Sequence, residues 1–553
     1  MKLEPVTDMS EFASTIVDHK YAHDLNGEKE GWHNIAYRAA KHPMRAAGFT
    51  MRDAITNNVA QAIRDRKFMP AGRYLYASGR PYHQVQNCLL LGVHDSREGW
   101  STLLHKSSMA LMTGAGIGVE YSGIRSEGAD IRKTGGKATG PIALMQMLNE
   151  CGRGIMQGGS RRSAIWAGLR WDHPDIMKFI HIKDWPEAVI KLKEENFNFP
   201  ATLDCTNISV GLNSEFFRAY DDNEHPKHAL AQMVYWETIK QMLTTGEPGF
   251  SINTGKDELE IYRNACTEVS SADTDDICNL GSINMARIDT LDEFRQMVHL
   301  GTTYLLAGTL YSDVPYSEVD FTRTKNRRLG LGLMGVHEWL LQRGKPYAPD
   351  DELWKWMEVY QESTAIANAL ADDWGISRPV KTRAIAPTGT ISIVAETTGG
   401  IEPIFCVAYK RRYLKHQSWH YQYVVDPTAK RLIENGGVSP ESIQDAYDLS
   451  NDVEARVKFQ HWMQQAVDHG ISSTINLPHW GSEQNNESTV QPFGHMLMKY
   501  LPGLRGITGY PDGARGGQPL TPVPYHVACD GSGQEILEQA DVCSLTKGGS
   551  CGD

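Results

Sequence analysis

A chain of 553 residues exceeds what one ordinary core supports, so a large barrel with additions or two to three domains is expected. Its 41% hydrophobic and 22% charged residues suit a globular protein with ample core, and no apolar run reaches the roughly 18 residues a membrane span requires. A net charge of −12 argues against a sequence-independent grip on nucleic-acid polymers, which depends on neutralising many phosphates, but leaves room for a single nucleotide held by a few N–H groups and cations.

The N-terminus, "MKLEPVTDMSEF", lacks the apolar stretch of a signal peptide, which points to the cytoplasm and to reduced cysteines. Strand-like and helix-like runs alternate through most of the chain, the signature of an α/β protein. "TLLHKSSMALMTGAGIGVEYSGI" reads as a helix to about Met112, a glycine break over 114–118 and then a strand. "GPIALMQMLNECGRGIMQGGSRRSAIWAGLRW" repeats the pattern, with a loop over 152–162 and a β-rich run from Ser163. Amphipathic helices are predicted near 229–245, 292–309 and 352–373. From about Gly503 the composition turns to Gly, Pro and Asp, so the ordered body is expected to end near 525 and residues 526–553 to form a mobile tail.

Nine cysteines in such a chain read as catalytic, metal-binding or inert before they read as a disulfide framework. There is no Cys-x-x-Cys pair, which disfavours a structural zinc site. In "RNACTEVSS", Asn264, Cys266 and Glu268 stand on alternate positions, and an extended backbone would send an amide, a thiol and a carboxylate to one face. A solvated loop with an incidental cysteine satisfies the same text. Cys278 in "DICNLGSINMARI" and Cys88 in "QNCLLLGVHDS" head strand-like runs, where buried core thiols are equally at home. Cys543 and Cys551, in the tail, are expected to be an exposed, exchanging dithiol. "APTGTIS" sets a Pro-Thr-Gly turn before small residues, a helix start whose N–H groups at Thr388, Gly389, Thr390 and Ile391 could hold a phosphate. "QGGSRRSA" is a flexible loop with two arginines, suited to sensing a nucleotide or simply to the surface.

Taken together and in this order, these segments resemble the catalytic subunit of ribonucleotide reductases. The matching text includes "FMPAGRYLYASG", "GAGIGVEYSGIRSEG", "QGGSRRSAIWAGLRWDHPDI", "NACTE", "CNLGSINMARI", "NRRLGLGLMG", "APTGTISI", "STINLP" and "GITGYPDGARGGQPLTP". The resemblance implies a ten-stranded α/β barrel over residues 61–525 with a finger loop through its centre, preceded over 1–60 by a helical segment without an ATP cone. It implies that Cys266 carries a thiyl radical that removes the 3′ hydrogen of a ribonucleotide, that Glu268 acts as base on the 3′ hydroxyl and that Asn264 holds the substrate hydroxyls. Cys88 and Cys278 would supply two electrons and close to a disulfide, which Cys543 and Cys551 would reduce in turn at the expense of thioredoxin or a similar dithiol. Asn87 and the turn Thr388–Ile391 would bind substrate. Asp95 and Arg125 would hold a deoxynucleotide or ATP effector, and Gln157, Gly158, Gly159 and Arg161 would relay its identity to the substrate base. Because that effector site usually forms between subunits, a homodimer is implied.

The radical source separates the classes of this family. Enzymes fed by a metal-containing subunit carry two adjacent tyrosines near the end of the barrel, whereas "RGITGYPDG" has Tyr510 alone behind Thr508 and Gly509. That stretch resembles the adenosylcobalamin-dependent class, with adenosylcobalamin as the implied cofactor. The tail "CSLTKGGSC" instead resembles those of the metal-subunit class, which stays the alternative, and a non-catalytic nucleotide-binding relative is a third reading. A glycyl-radical site fits less well, since Pro511 follows Tyr510 at once and the four-cysteine zinc site is missing.

Overall fold

The computed structural model describes residues 9–25, 27–86, 88–132, 134–157, 161–195, 199–415, 418–514, 520–531 and 535–537. Three N-terminal helices come first: α1 (Glu11–Lys20), α2 (Trp32–Ala46) and α3 (Ala54–Arg64). The next α/β stretch supplies β1 (Phe68–Pro70), β2 (Cys88–Gly92), α4 (Arg97–Met112), β3 (Gly116–Glu120), α5 (Gly140–Gly154), β4 (Ile165–Arg170), β5 (Thr206–Asn213), α6 (His228–Thr245) and β6 (Gly249–Asn253). A second stretch follows with β7 (Asp276–Asn284), α7 (Leu291–Tyr311), β8 (Leu329–Met334), α8 (Asp351–Gln361), α9 (Ser363–Asp373), α10 (Gly389–Ala395), β9 (Thr474–Leu477) and β10 (Gly506–Pro511). These ten strands belong to one sheet.

Five strands, β2 to β6, run parallel in chain order. A second group is antiparallel to them at both seams: β7 pairs β2, and β10 pairs β6. Within that group β7 lies parallel to β8, and β9 parallel to β10. Parallel bridges from Leu331 to Arg383 and from Ile385 to Ile471 join β8 to the approach of β9, which closes the ring. The α/β barrel expected from the sequence is thus two parallel halves meeting back to back, with β1 pairing antiparallel to the end of β7 over Gly281–Ile283.

Two hydrophobic cores flank the wall, the first of them shared by β9 and β10 through Ile475, Leu477 and Ile507. Leu91, Val119, Leu169 and Val210 of the first half pack against α4 to α6, while Ile283, Leu331 and Leu333 of the second pack against α2, α3 and α7 to α9. The helix α7 is apolar almost all round, since it lies between the second-half strands and the N-terminal helices, and Thr290 caps it by accepting the Glu293 N–H at 3.2 Å. The single helix predicted over 352–373 is two, α8 and α9. The Arg383 guanidinium donates to the Gln361 carbonyl at 3.3 Å and to Ser363 Oγ at 2.9 Å, and a cation intruding on a helix ladder interrupts it.

Residues 254–275 leave the wall between β6 and β7 and enter the lumen as a hairpin, Tyr262–Arg263 pairing with Ser270–Ser271. The hairpin lies on β3 so closely that a Cβ at Gly118 would stand 1.9 Å from the Arg263 carbonyl oxygen. On the opposite side the Gly470 N–H donates to the Glu268 carbonyl at 2.6 Å, and a Cβ there would be 3.2 Å from the Thr267 and Glu268 carbonyls. The finger loop is therefore gripped from both halves, each time where the wall offers glycine.

The C-terminal region departs from expectation. Leu520–Pro522, Ala408–Lys415, Ser418–Val425 and Glu535–Leu537 form a four-stranded antiparallel sheet in that order, and a helix spans Tyr525–Asp530. Described structure thus continues past 525, because the start of the expected tail adds an edge strand to the 408–425 hairpin. Cys543 and Cys551 lie outside the described residues.

Substituting Gly118→Ala is expected to cost about 1–3 kcal/mol of stability, since the methyl must displace backbone rather than a flexible side chain. Chemical denaturation checks this, with an unshifted midpoint contradicting the contact.

Candidate active site

At the hairpin tip the three polar residues do meet, though not by strand alternation. The Thr267 N–H donates to the Asn264 carbonyl at 3.1 Å, and Thr267 takes φ +66°, a left-handed conformation that a β-branched residue rarely adopts. The Asn264 carboxamide oxygen accepts the Val269 N–H at 3.0 Å. A tight turn, stitched by the asparagine itself, gathers Asn264, Cys266 and Glu268 on the wall of one cavity of about 480 Å³.

Asn264 and Glu268 are buried, while Cys266 is half-buried. Burial pushes the Glu268 carboxyl up to about 7, a rise that its hydrogen bond from the Asn264 amide only partly offsets. Its Oε2 is buried without a hydrogen-bond partner among the described residues, and Glu268 lines the cavity. Across the same cavity lies the turn Thr388–Ile391. Thr388 takes φ +56°, its hydroxyl accepts the Gly400 N–H at 2.9 Å, and Ser392 N–H makes the first helical bond of α10, to the Thr388 carbonyl. The N–H groups of Gly389, Thr390 and Ile391 are left at the helix start, where an anion is favoured.

Cys266 also borders a second cavity, of about 430 Å³, on its other side. Asn207, Ser209, Ser472, Ser473, Thr474 and Thr508 line that space with neutral amide and hydroxyl groups, and Tyr510 connects it to a further cavity of about 250 Å³. Glu247 on its wall is already paired with Lys183 and accepts the Ile208 N–H at 2.9 Å. One sulfur thus faces two separate compartments.

The other predicted residues fall into three places. The register of β2 and β7 sets Cys88 directly opposite Cys278, and facing positions in an antiparallel pair have Cα separations within disulfide range. Cys278 is buried, which drives its thiol well above its ordinary range, and its Sγ lies 3.3 Å from the Asn279 carbonyl. Outside the barrel, Arg125 Nε pairs with Asp95 Oδ2 at 2.6 Å beside the start of α4, both partly exposed. Gln157 and Arg161 face each other in a short hairpin, Met156–Gln157 against Arg161–Arg162, while Asn87, Gly158 and Gly159 lie outside the described residues.

Sequence reasoning missed the charged cluster beneath the hairpin. Glu260 is its hub: Lys381, Arg328 (3.2 Å), Arg505 (3.2 Å) and the Ser270 hydroxyl (2.8 Å) converge on it. Lys381 and Arg505 also reach Asp257, at 2.7 and 3.0 Å, and Arg328 reaches Asp276 at 2.7 Å. Burial alone would raise the Glu260 carboxyl, but Lys381 and Arg328 outweigh it and hold it below its ordinary range. Arg263 is fully buried and donates to Ser251, the Ile252 carbonyl, Asn253 and the Arg505 carbonyl. His469 is kept neutral by burial and by the surrounding cations, and its Nδ1 accepts the Ser270 N–H at 3.3 Å. The signal was present in "NRRLG" and in Arg263 beside the tip, but nothing local says that residues 260, 328, 381 and 505 converge.

Residues 86–240, 260–366 and 377–510 match the family described as ribonucleotide reductase, barrel domain. With more than half of its length matched, the chain belongs to that family. It is 26% identical over 523 residues to a vitamin B12-dependent ribonucleoside-diphosphate reductase of Mycobacterium tuberculosis (strain CDC 1551 / Oshkosh), covering 84% of this chain and 72% of that one. An enzyme of the same name from Thermoplasma acidophilum is 27% identical over 532 residues, covering 84% and 66%. A ribonucleoside-diphosphate reductase large subunit of Plasmodium falciparum (isolate Dd2) is 27% identical over 331 residues, covering 51% and 40%.

Two measurements test this site. Because the Glu268 carboxyl titrates near 7, its protonated form dominates below that pH and the carboxylate above it. Infrared difference spectra of wild type against Glu268→Gln are expected to show a protonated carboxyl band at about pH 6 that is lost by about pH 8. A carboxylate persisting down to about pH 5 would contradict the burial argument. Glu260→Ala strands buried Lys381 and Arg328 and is expected to cost about 3–5 kcal/mol in urea unfolding. Asp130→Ala, at the exposed pair with Lys137, is expected to cost less than about 1 kcal/mol.

Proposed function

We propose that this chain is a ribonucleotide reductase that converts ribonucleotides to 2′-deoxyribonucleotides through a thiyl radical on Cys266, generated with adenosylcobalamin. The observation that carries this reading is the double exposure of Cys266. It shares one cavity with a base, an amide and an anion-favouring turn, and a second cavity with neutral hydroxyls and amides and with Glu247, which Lys183 pairs. A group that acts on the thiol while substrate is bound needs its own compartment.

The second cavity fits the cofactor on its chemistry. Asn207, Ser209, Ser472, Ser473, Thr474 and Thr508 offer hydrogen bonds suited to an adenosyl group and its amide-bearing ring, and the space continues past Tyr510. When bound, adenosylcobalamin supplies the one-electron chemistry that takes a hydrogen atom from the thiol. The likeness to B12-dependent relatives over 84% of this chain, against 51% for the Plasmodium large subunit, supports the same source over a partner subunit.

Every later step uses this chain's own residues. The Cys266 thiyl takes the 3′ hydrogen atom of the ribose and returns it at the end. Glu268, with Oε2 unpartnered, accepts the 3′ hydroxyl proton, which helps the protonated 2′ hydroxyl leave as water. The Asn264 amide, tied to Val269 and Glu268, keeps an N–H for a substrate hydroxyl. Cys88 and Cys278 lose two electrons and two hydrogens and join as a disulfide, so ribonucleotide and dithiol become deoxyribonucleotide, disulfide and water. Their facing register supports that role. The buried Cys278 thiol disfavours ionisation, so the exchange that reopens the bond needs a thiolate brought from elsewhere, by Cys543 and Cys551 or by a thioredoxin-like dithiol.

The effector assignment to Asp95, Arg125, Gln157, Gly158, Gly159 and Arg161 stays part of this proposal, as does the homodimer. Supporting the dimer, α4 and α5 carry Met109, Met112 and Met147 exposed, an apolar surface that a second copy would cover.

The test is an assay of purified protein with ribonucleotide, adenosylcobalamin and a dithiol but no other protein. Deoxyribonucleotide is expected from wild type, and Cys266→Ser is expected to lose it by more than about 1,000-fold while still binding nucleotide. Substantial turnover by that variant, or an absolute requirement for a second subunit, overturns the reading.

A further inference from the structure

The N-terminal helix ends on the rim of the cavity that holds Cys266. His19, Lys20 and Tyr21 line the cavity together with Thr388, Gly389, Thr390 and Ile391. The placement follows from how α1 is tied down. The Ser10 N–H, at the start of α1, donates to Glu396 Oε1 at 3.0 Å, and Glu396 stands at the end of α10, where Arg66 holds its other oxygen at 2.6 Å. Ala13 and Val17 bury one face of α1. The two helices therefore run antiparallel from a common point at Glu396.

From that point Lys20 is ten residues along α1 and Thr388 eight residues back along α10. At about 1.5 Å per residue, α1 overhangs the turn by roughly 3 Å. Its last two residues, His19 and Lys20, line the same cavity as Gly389, Thr390 and Ile391. Both are exposed, and neither has an ion-pair or hydrogen-bond partner among the described residues. A second observation, independent of either helix end, marks the cavity as built for a ligand: the unpartnered, buried Glu268 Oε2 on its wall.

We propose that Lys20, with His19 beside it, binds the distal phosphate of a ribonucleoside diphosphate whose proximal phosphate sits on the Thr388–Ile391 turn. The inference rests on the reductase reading and deepens it, making α1 a determinant of how many phosphates the substrate carries. A plainer role exists, since basic residues in a last turn also complement the helix dipole, and the test separates the two. A dipole role acts on the fold and is blind to the nucleotide. A phosphate contact acts on the diphosphate and is blind to the monophosphate.

Calorimetric titration of the full chain with CDP and CMP decides, on wild type, Lys20→Gln and Lys20→Arg. Lys20→Gln is expected to weaken CDP about tenfold and CMP less than twofold, with Lys20→Arg close to wild type and the melting temperature unmoved. An unchanged ratio of CDP to CMP affinity in Lys20→Gln, whether both weaken or neither does, overturns the assignment. If wild type binds CDP but the ratio is unchanged, the phosphate contact alone fails. If wild type binds neither nucleotide, the reductase reading fails with it.

Discussion

The arrangement depends on a buried charge cluster under the finger hairpin. Glu260 lies just before the hairpin, Ser270 is in its return strand, and Lys381, Arg328 and Arg505 come from three elements of the surrounding wall. A hairpin whose paired ladder is two residues deep cannot hold itself in a barrel lumen. Directional, charge-assisted bonds to wall residues distant in the chain can, and they also specify one height and one rotation. Apolar packing would hold the loop as firmly but would tolerate sliding. That the hub stays ionised follows from the count of cations around it, which outweighs the cost of its burial.

The same dry interior sets the chemistry. No cation is among the causes acting on Glu268, so burial, only partly offset by its hydrogen bonds, raises the carboxyl to about 7. Two glutamates eight residues apart thus move in opposite directions, one held ionised as a structural anchor and one poised to exchange a proton. In the proposed reaction Cys266 needs no activating base or neighbouring cation, because hydrogen-atom transfer does not pass through a thiolate. The requirement of that reaction is geometric: access to two compartments, which a turn tip protruding into a lumen supplies.

Much of this was legible in the sequence, and what was not has a common cause. Helices α4 to α7 and the strands beside them follow from local periodicity, and their boundaries agree with the expected ones to within a few residues. The residues of the tip were found because they sit within five positions of one another. Their manner of meeting was misjudged: alternation presumes an extended chain, whereas Thr267 in a left-handed conformation and the Asn264 side chain make a turn. The Glu260 cluster was invisible because its cations lie 68, 121 and 245 residues from the hub and each alone reads as a surface charge. The edge strand Glu535–Leu537 was missed because a three-residue strand in a Gly-rich stretch carries no period of its own and exists through its partner.

The N-terminal segment shows why a barrel of this kind does not stop at its wall. The α10 start faces the lumen, and its seven residues are too short to be stable alone, so its orientation must come from what packs on it. That is α1, fixed at Glu396 by Ser10 and braced by Arg66, which is itself buried at the end of α3. Residue 66 thus connects the N-terminal helices to the turn over Cys266 through a single carboxylate. A change in how α1 to α3 sit on the barrel would be felt first at Glu396 and next at the N–H groups of α10. The helical segment is accordingly part of the site's scaffold, on the same footing as the strands.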